Sequence, residues 1–455
     1  MTEANLVSAD ISTTFVSDRE FAELMSGFFD GQEPPNLAIA VSGGGDSMAL
    51  SLLTACWAKQ RNVSVTALTV DHQLRSEAKA EARQVGGWMK SIGLPHQILL
   101  WTGGEKMRCL AKSPQSSARD ARLNLMTDWC RSNNTKHLLL GHAADDQIET
   151  FLINLSRGSG IDGLSAISST SLRNSIHLLR PLLSIPRSRL KKTCFVHKQL
   201  WISDPSNLDS AFTRIRFRQS QAMLESEGLT QNRLLNTVCH LSRAKAALDY
   251  YVRSTLKATC RISSCGTLEV DIKSLIEAPA EIALRCISRM LITVSGQVYG
   301  PRFERLRRAY DKFCSGDWRG QTLHGCRIER RRDALVIYRE VGAIEHRCVI
   351  EANQTVLWDN RFRIHYAPTS RGSSSINVSA LTSGEWSALK EVNDSDIDSS
   401  YGADQRQTVP IISDSLGIVG VPILGVWWPG TTDSTKKAIS MTFDPPRALL
   451  PNNNA

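Results

Sequence analysis

Asn36-Leu-Ala-Ile-Ala-Val41, followed at once by Ser42-Gly-Gly-Gly-Asp-Ser47, is the stretch that decides how this chain folds. The first part is a short apolar run with Pro34 and Pro35 before it and glycines after it, the pattern of a buried strand. From Ser47 to Lys59 apolar residues return at helical spacing. Glycines between a strand and a helix permit a tight turn and a close backbone approach, so successive N–H groups can converge on phosphate oxygens. The helix adds the positive end of its dipole. Ser42 and Ser47 add hydroxyl donors. Asp46 would repel phosphate in a plain anion site. It fits if Mg2+ lies between, because that ion is held by one or two carboxylates together with phosphates. The plain alternative is a glycine-rich turn that caps a helix. No GxxxxGK[ST] and no GxGxxG occurs, which excludes a Walker-type loop and a dinucleotide fingerprint.

Outward from this loop, strand and helix patterns alternate. Val63 to Val70, Gln97 to Trp101 and His137 to Gly141 read as strands. Ser76 to Ile92, with Ser76 as N-cap, Ser117 to Arg131 and Asp145 to Ser156 read as helices. Such alternation implies an α/β fold, a Rossmann-like parallel sheet with helices on both faces and ligands beyond the strand C-termini. Asn232 to Leu256, Pro279 to Val294 and Arg302 to Phe313 are helical. From about 320 onward the pattern is of short strands and turns, including Ala334 to Tyr338, Thr355 to Tyr366 and Thr408 to Ile412. The stretch Arg371 to Ile376 reads as a surface loop. At about 150 residues per domain, 455 residues suggest roughly three domains. The expected division is 1–225, 226–345 (mostly helical) and 346–455 (a small α+β domain).

The chain carries 54 Lys and Arg against 45 Asp and Glu, a net charge of +9 that favours a polyanionic partner. The eleven cysteines are irregularly spaced and form no CxxC pair, so they read as reduced thiols rather than as a zinc or redox motif. No run of 18 apolar residues suggests a membrane span, and the first residues lack the basic start and apolar middle of a secretory signal. The expectation is a cytoplasmic protein without membrane contact. Oligomeric state is left open, a homodimer included.

The SGGxDS loop resembles the pyrophosphate loop of the N-type ATP pyrophosphatases, which cleave ATP to AMP and pyrophosphate. Four further segments resemble the tRNA(Ile)-lysidine synthetases of that superfamily. They are Val70-Asp-His-Gln-Leu-Arg75, Ala118-Arg-Asp-Ala-Arg122, Leu140-Gly-His-Ala-Ala-Asp-Asp-Gln-Ile-Glu-Thr150 running into Arg157-Gly-Ser-Gly-Ile-Asp-Gly-Leu164, and Arg180-Pro-Leu-Leu183 through Asp204-Pro-Ser-Asn207 to Arg218. Their order and spacing agree over about 185 residues, from Ala38 to Arg218. The resemblance implies a ligase that attaches free L-lysine to the wobble cytidine of tRNA(Ile) with a CAU anticodon. ATP activates the cytosine 2-carbonyl oxygen as an adenylate, and the lysine ε-amine then displaces AMP.

The resemblance also implies site residues. Ser42, Gly43, Gly44, Gly45, Asp46, Ser47, Asp71 and His72 would bind ATP. Asp46, Arg119, Asp146 and Arg214 would be catalytic, with Arg122 and Arg218 in support. Asp46, Asp146 and Glu149 would meet lysine or Mg2+. From the residues alone, Asp146 and Glu149 share a helix face at i, i+3, and guanidinium groups suit the negative charge that develops as pyrophosphate leaves. His142 reads as a nucleotide contact or as a satisfied structural histidine. Two departures from the family pattern are Leu123, where members often carry Tyr, and Ile215, where they often carry Asn.

Residues 301–340 hold eleven Lys or Arg against six Asp or Glu, a net +5. Their core, Arg305, Arg307, Arg308, Arg330, Arg331 and Arg332, suits RNA phosphates, with a solvated charged face as the alternative. The aromatic pair in Gly417 to Trp428 reads as buried packing before base stacking. The rival functions are a tRNA thiolase of the same superfamily, a glutamine-hydrolysing amidotransferase and a non-catalytic RNA-binding relative.

Overall fold

The computed structural model describes residues 14–29, 31–32, 34–71, 78–101, 114–203, 213–315, 318, 320–344, 347–368, 373–393 and 401–450. His72, Arg75 and the segment Asp204 to Phe212 lie outside the described residues. The chain forms two compact units, 1–245 and 246–455.

In the first unit, α1 (Asp18–Ser26) is capped by Ser17, whose hydroxyl accepts the Glu20 N–H, and it buries Phe21 and Met25. There follow β1 (Asn36–Ala40), α2 (Gly45–Arg61), β2 (Ser64–Asp71), α3 (Ala78–Ser91), β3 (His96–Leu100), α4 (Pro114–Ser132), β4 (His137–Leu140) and α5 (Ala144–Ser156). A short α6 (Ile161–Leu164) leads to β5 (Thr170–Arg173), β6 (Ile176–Leu179), α7 (Arg187–Val196), α8 (Thr213–Gln219) and α9 (Gln221–Ser226), and α10 (Gln231–Thr259) spans the boundary between the two units. The strands form one sheet in the order β3-β2-β1-β4-β6-β5. All neighbours run parallel except β5 and β6, which form an antiparallel hairpin at the edge.

β1 is central because both its faces are apolar. Leu37 and Ile39 enter one core with Met48, Leu53 and Trp57, and Ala38 enters the other with Leu68, Met126 and Leu138. Alternation along a strand sends successive side chains to opposite faces. The chain runs from β1 outward to β3, then returns to β4 on the other side of β1. Connections leaving β1 and β4 therefore diverge, and the crevice at their C-terminal ends is where such sheets bind ligands.

The second unit contains β7 (Cys260–Ile262), β8 (Leu268–Asp271), α11 (Ile272–Glu277), α12 (Ala280–Ser295), α13 (Phe303–Cys314), β9 (Gly320–Leu323), β10 (Cys326–Arg331) and β11 (Ala334–Arg339). These five strands form an antiparallel sheet, β7-β8-β11-β10-β9. Ile287 and Leu291 of α12 share its core with Leu268, Ile328 and Ile337. The helical reading of this region misses β7 and β8. They are only three and four residues long, too short to show a period.

Further on lie β12 (Cys348–Glu351), β13 (Gln354–Trp358), β14 (Phe362–Tyr366), β15 (Ser375–Ala380), β16 (Pro410–Asp414), β17 (Gly417–Val421), β18 (Val426–Trp427) and β19 (Ile439–Phe443). They make the sheets β12-β15-β16-β17-β18 and β13-β14-β19 around a separate core. The single strand read over Thr355 to Tyr366 is in fact the hairpin β13–β14. Asp359 and Asn360 take φ of 47° and 53° there, a left-handed turn that these residue types tolerate. Trp427 and Trp428 are half-buried and pack against this second core.

Candidate active site

The glycine loop joins β1 to α2 at the crevice. Gly44 is the N-cap and α2 begins at Gly45. Ser47 Oγ donates to the Gly44 carbonyl at 2.9 Å and accepts the Ser42 N–H at 3.3 Å, so the loop folds on its own hydroxyl. Gly43 has φ of +84°, and a Cβ there would lie 2.8 Å from Ile202 and 2.9 Å from Val85. Only glycine fits. The Ile202 N–H fixes the Gly43 carbonyl at 2.8 Å. Asp71 is buried at the end of β2. The loop thus sits at a helix start in the crevice, the kind of place where backbone N–H groups and the helix dipole favour an anion.

Across the crevice, the turn after β4 delivers α5. Asp146 Oδ2 accepts the Ala143 N–H at 2.8 Å and caps the helix that carries it. Asp46 of the loop and the acids of α5 are joined by a residue that sequence reading does not single out. Arg187 donates from Nε to Asp46 Oδ2 at 2.8 Å and from Nη2 to Asp146 Oδ1 at 3.1 Å. Its Nη1 lies 3.7 Å from Glu149 Oε1, and its backbone N–H donates to Asp145 Oδ2 at 2.8 Å. Arg218 reaches Glu149 from α8, at 2.6 Å from Nη2. Pro186, just before α7, puts Arg187 at the first helical position. A lone arginine after a proline leaves no periodic mark, so only its place in the segment from Arg180 to Arg218 hints at it.

Burial raises the Asp46 pKa above its ordinary value. Arg187 opposes that shift, and the charges of Asp146 and Asp145 add to it. Burial also works against the Arg187 charge, but Asp46 and Asp146 outweigh it and raise its pKa above the usual arginine value. This guanidinium is therefore permanently charged.

A cationic group occupies the other flank of the β4–α5 turn. Arg119 Nη2 lies 3.3 Å from His142 Nε2. Burial, helped by the charges of Arg180, Arg119 and Arg214, lowers the His142 pKa to about 4, with Asp146 opposing. The ring is neutral at pH 7, and Nε2 accepts from Arg119. Arg180, 9% exposed, donates to the Ser168 carbonyl and Ser171 Oγ from Nη1. Arg122 Nε, Arg180 Nε and His142 Nδ1 are buried without a hydrogen-bond partner among the described residues. Buried unpaired donors beside clustered guanidinium groups suit an anion. Arg180 and His142 thus join the group that sequence reading assigns to Arg119, Arg122 and Arg214.

Among the described residues no three His, Cys, Asp or Glu side chains form a ready-made metal site. Asp46 and Asp146 are nevertheless hard oxygen donors within the span of one guanidinium. Two carboxylates are what Mg2+ takes when phosphates supply the rest. In the second unit, Arg305 and Arg308 line a basin of about 600 Å3 with Lys312 and His324. Arg330, Arg331 and Arg332 lie away from that basin, on β10 and its turn. Arg331 is 3.5 Å from Glu329. No helix among the described residues is long and apolar enough to cross a membrane.

This parallel sheet, with a glycine loop at its switch point, defines a nucleotide-binding domain of the PP-loop type. The family model of the PP-loop domain matches residues 15–223. A tRNA(Ile)-lysidine synthase of Wolbachia pipientis wMel is 36% identical over 74% of this chain and 77% of its own length. One of Ruegeria pomeroyi is 36% identical over 73% and 77%. One of Orientia tsutsugamushi is 30% identical over 93% and 96%. The chain belongs to the tRNA(Ile)-lysidine synthase family, whose members are ligases.

Proposed function

We propose that this chain uses ATP to activate the wobble cytidine of tRNA(Ile) with a CAU anticodon and then joins free lysine to its 2-position. The observation that carries the reading is the ion-pair bridge from Asp46 of the nucleotide loop, through Arg187, to Asp146 of α5. It supports reading the loop and the acids as parts of one site.

In this reading Ser42 to Ser47 hold the triphosphate tail, and Asp71, with His72 next to it in the sequence, contacts the adenosine. Asp46 would hold Mg2+, which supplies charge neutralisation between carboxylate and phosphate. The cytosine 2-oxygen attacks the α-phosphorus, and pyrophosphate leaves. Arg119 and Arg214, supported by Arg122, stabilise the charge that develops. The lysine ε-amine then attacks C2 and AMP departs. Lysine arrives as an ammonium with a pKa near 10.4. A carboxylate therefore binds it first and accepts its proton late, the role assigned to Asp146. A small cavity beside Glu149 and Arg218, walled by Ile148, Leu152, Phe217 and Leu234, offers an apolar surface for the methylene stem. In the second unit Arg305, Arg307, Arg308 and Arg330 to Arg332 contact tRNA phosphates.

The rival thiolase reading needs a reactive sulfur. Of the two cysteines it could use, Cys109 lies outside the described residues, and burial pushes Cys130 up to about 12, so that one remains a thiol at neutral pH. The test is incubation with ATP, Mg2+, labelled lysine and a tRNA(Ile) transcript. Lysine in the RNA, with AMP and pyrophosphate released, is expected. Incorporation that depends on a sulfur donor, or tight binding with no AMP, would replace this reading.

A further inference from the structure

One guanidinium occupies the carboxylates that an incoming amine would need. Arg187 pairs with Asp46 at 2.8 Å and Asp146 at 3.1 Å, and its side chain remains 17% exposed. A guanidinium and an ammonium compete for the same oxygens, and arginine never gives up its proton. An amine that reaches Asp146 while Arg187 is paired there meets an acid already neutralised.

A triphosphate in the glycine loop changes that balance. It brings negative charge to Asp46, which by itself repels it. Arg187 is the cation already touching Asp46, and its planar fork pairs with phosphate as readily as with carboxylate. Glu149 does not depend on Arg187, because Arg218 holds it at 2.6 Å. Asp146 does depend on it. Without Arg187, its only remaining described hydrogen-bond donor is the Ala143 N–H, on Oδ2.

We propose that Arg187 is a positioning residue that couples the two small substrates. In the nucleotide-free chain it stands in the place of the ammonium at Asp146, and a bound triphosphate draws it toward the loop and opens that carboxylate. The nucleotide then binds before the amine, and lysine is not held where there is nothing to activate its acceptor. This rests on the reading of Asp146 as the partner of the amine.

The test is calorimetric titration of lysine into the full chain, with and without a non-hydrolysable ATP analogue and Mg2+. The analogue should tighten lysine binding to the wild type by about 5- to 150-fold, the usual range of coupling between sites. In Arg187→Gln the coupling should fall below about twofold, because lysine now binds the nucleotide-free protein more tightly than it binds the wild type. A purely structural role would weaken lysine binding in both states alike. Wild-type coupling that persists in Arg187→Gln, or lysine binding to the wild type that ignores the nucleotide, would overturn the proposal. Should Arg187→Gln not fold, Arg187→Lys decides. A point-like ammonium does not span Asp46 and Asp146 as a fork does, so coupling should drop to less than half, and full coupling would sink the idea. If nucleotide binds and lysine never does, the amine-site reading fails together with the coupling. If lysine binds without coupling, only the coupling fails.

Discussion

A Cβ on Gly141 would stand 3.1 Å from the Cα of Ser47 and 3.2 Å from its backbone nitrogen. The end of β4 thus runs directly against the first turn of α2, backbone to backbone. That contact sets the distance between the nucleotide loop and the turn that carries His142 and Asp146.

Gly141→Ala should therefore push the loop out of register. The neighbour is main chain at a helix start and yields little. Nucleotide binding should weaken at least about tenfold, and stability should fall by about 1–3 kcal/mol. Calorimetric titration of an ATP analogue beside a urea melt reads both. An unchanged dissociation constant would show that the loop tolerates the shift.

Asp146→Asn keeps the shape and a helix-capping oxygen but removes the base. Lysine incorporation should drop by about 10²- to 10⁴-fold, measured by transfer of labelled lysine to the tRNA transcript. Wild-type turnover in this variant would take Asp146 out of the chemistry.

His142 gives a pH signature. Its pKa is lowered from 6.5 to about 4, first by burial and then by the surrounding arginines. The folded state holds it neutral, while the unfolded chain takes up a proton as pH falls through 6.5. Its contribution to stability is therefore full above pH 6.5 and is lost as pH drops toward 4. Denaturation midpoints measured across that window should decline in the wild type and decline less in His142→Gln. Some slope should remain, because His137 is lowered to about 4 as well. Equal slopes in the two proteins would contradict this.

In the second unit, Asp359 holds two buried arginines. Arg339 pairs with it through Nε and Nη2, each at 3.0 Å, and Arg361 through Nε at 2.6 Å. Asp359→Asn retains the left-handed turn but leaves both cations uncompensated, at a cost of about 3–5 kcal/mol. A urea melt should register it, and a loss below about 1 kcal/mol would mean that the pairs contribute little net stability.

If the basin on α13 meets tRNA phosphates, Arg305→Gln and Arg308→Gln should each reduce the slope of log binding constant against log salt by about one. Filter binding at several salt concentrations measures it. An unchanged slope would assign these arginines to solvent.

Much of the first unit was legible in the chain itself. β1, the glycine loop and α2 declare themselves because local signals coincide: an apolar run, glycines that alone can turn there, and a 3.6-residue period. β7, β8 and the β13–β14 hairpin are less legible, since a strand of three or four residues has no period and takes its register from its neighbours.

The sequence by itself determined the alternation that builds a parallel sheet, the loop that suits phosphate, and the family to which the motifs belong, because each is written in residues close together in the chain. Only the tertiary structure decided which charges meet. Arg187 is 141 residues from Asp46 and 41 from Asp146. Arg180 and His142 likewise come together from separate strand ends. A side chain's partner depends on where the sheet brings distant segments, and Coulomb attraction acts across space rather than along the chain.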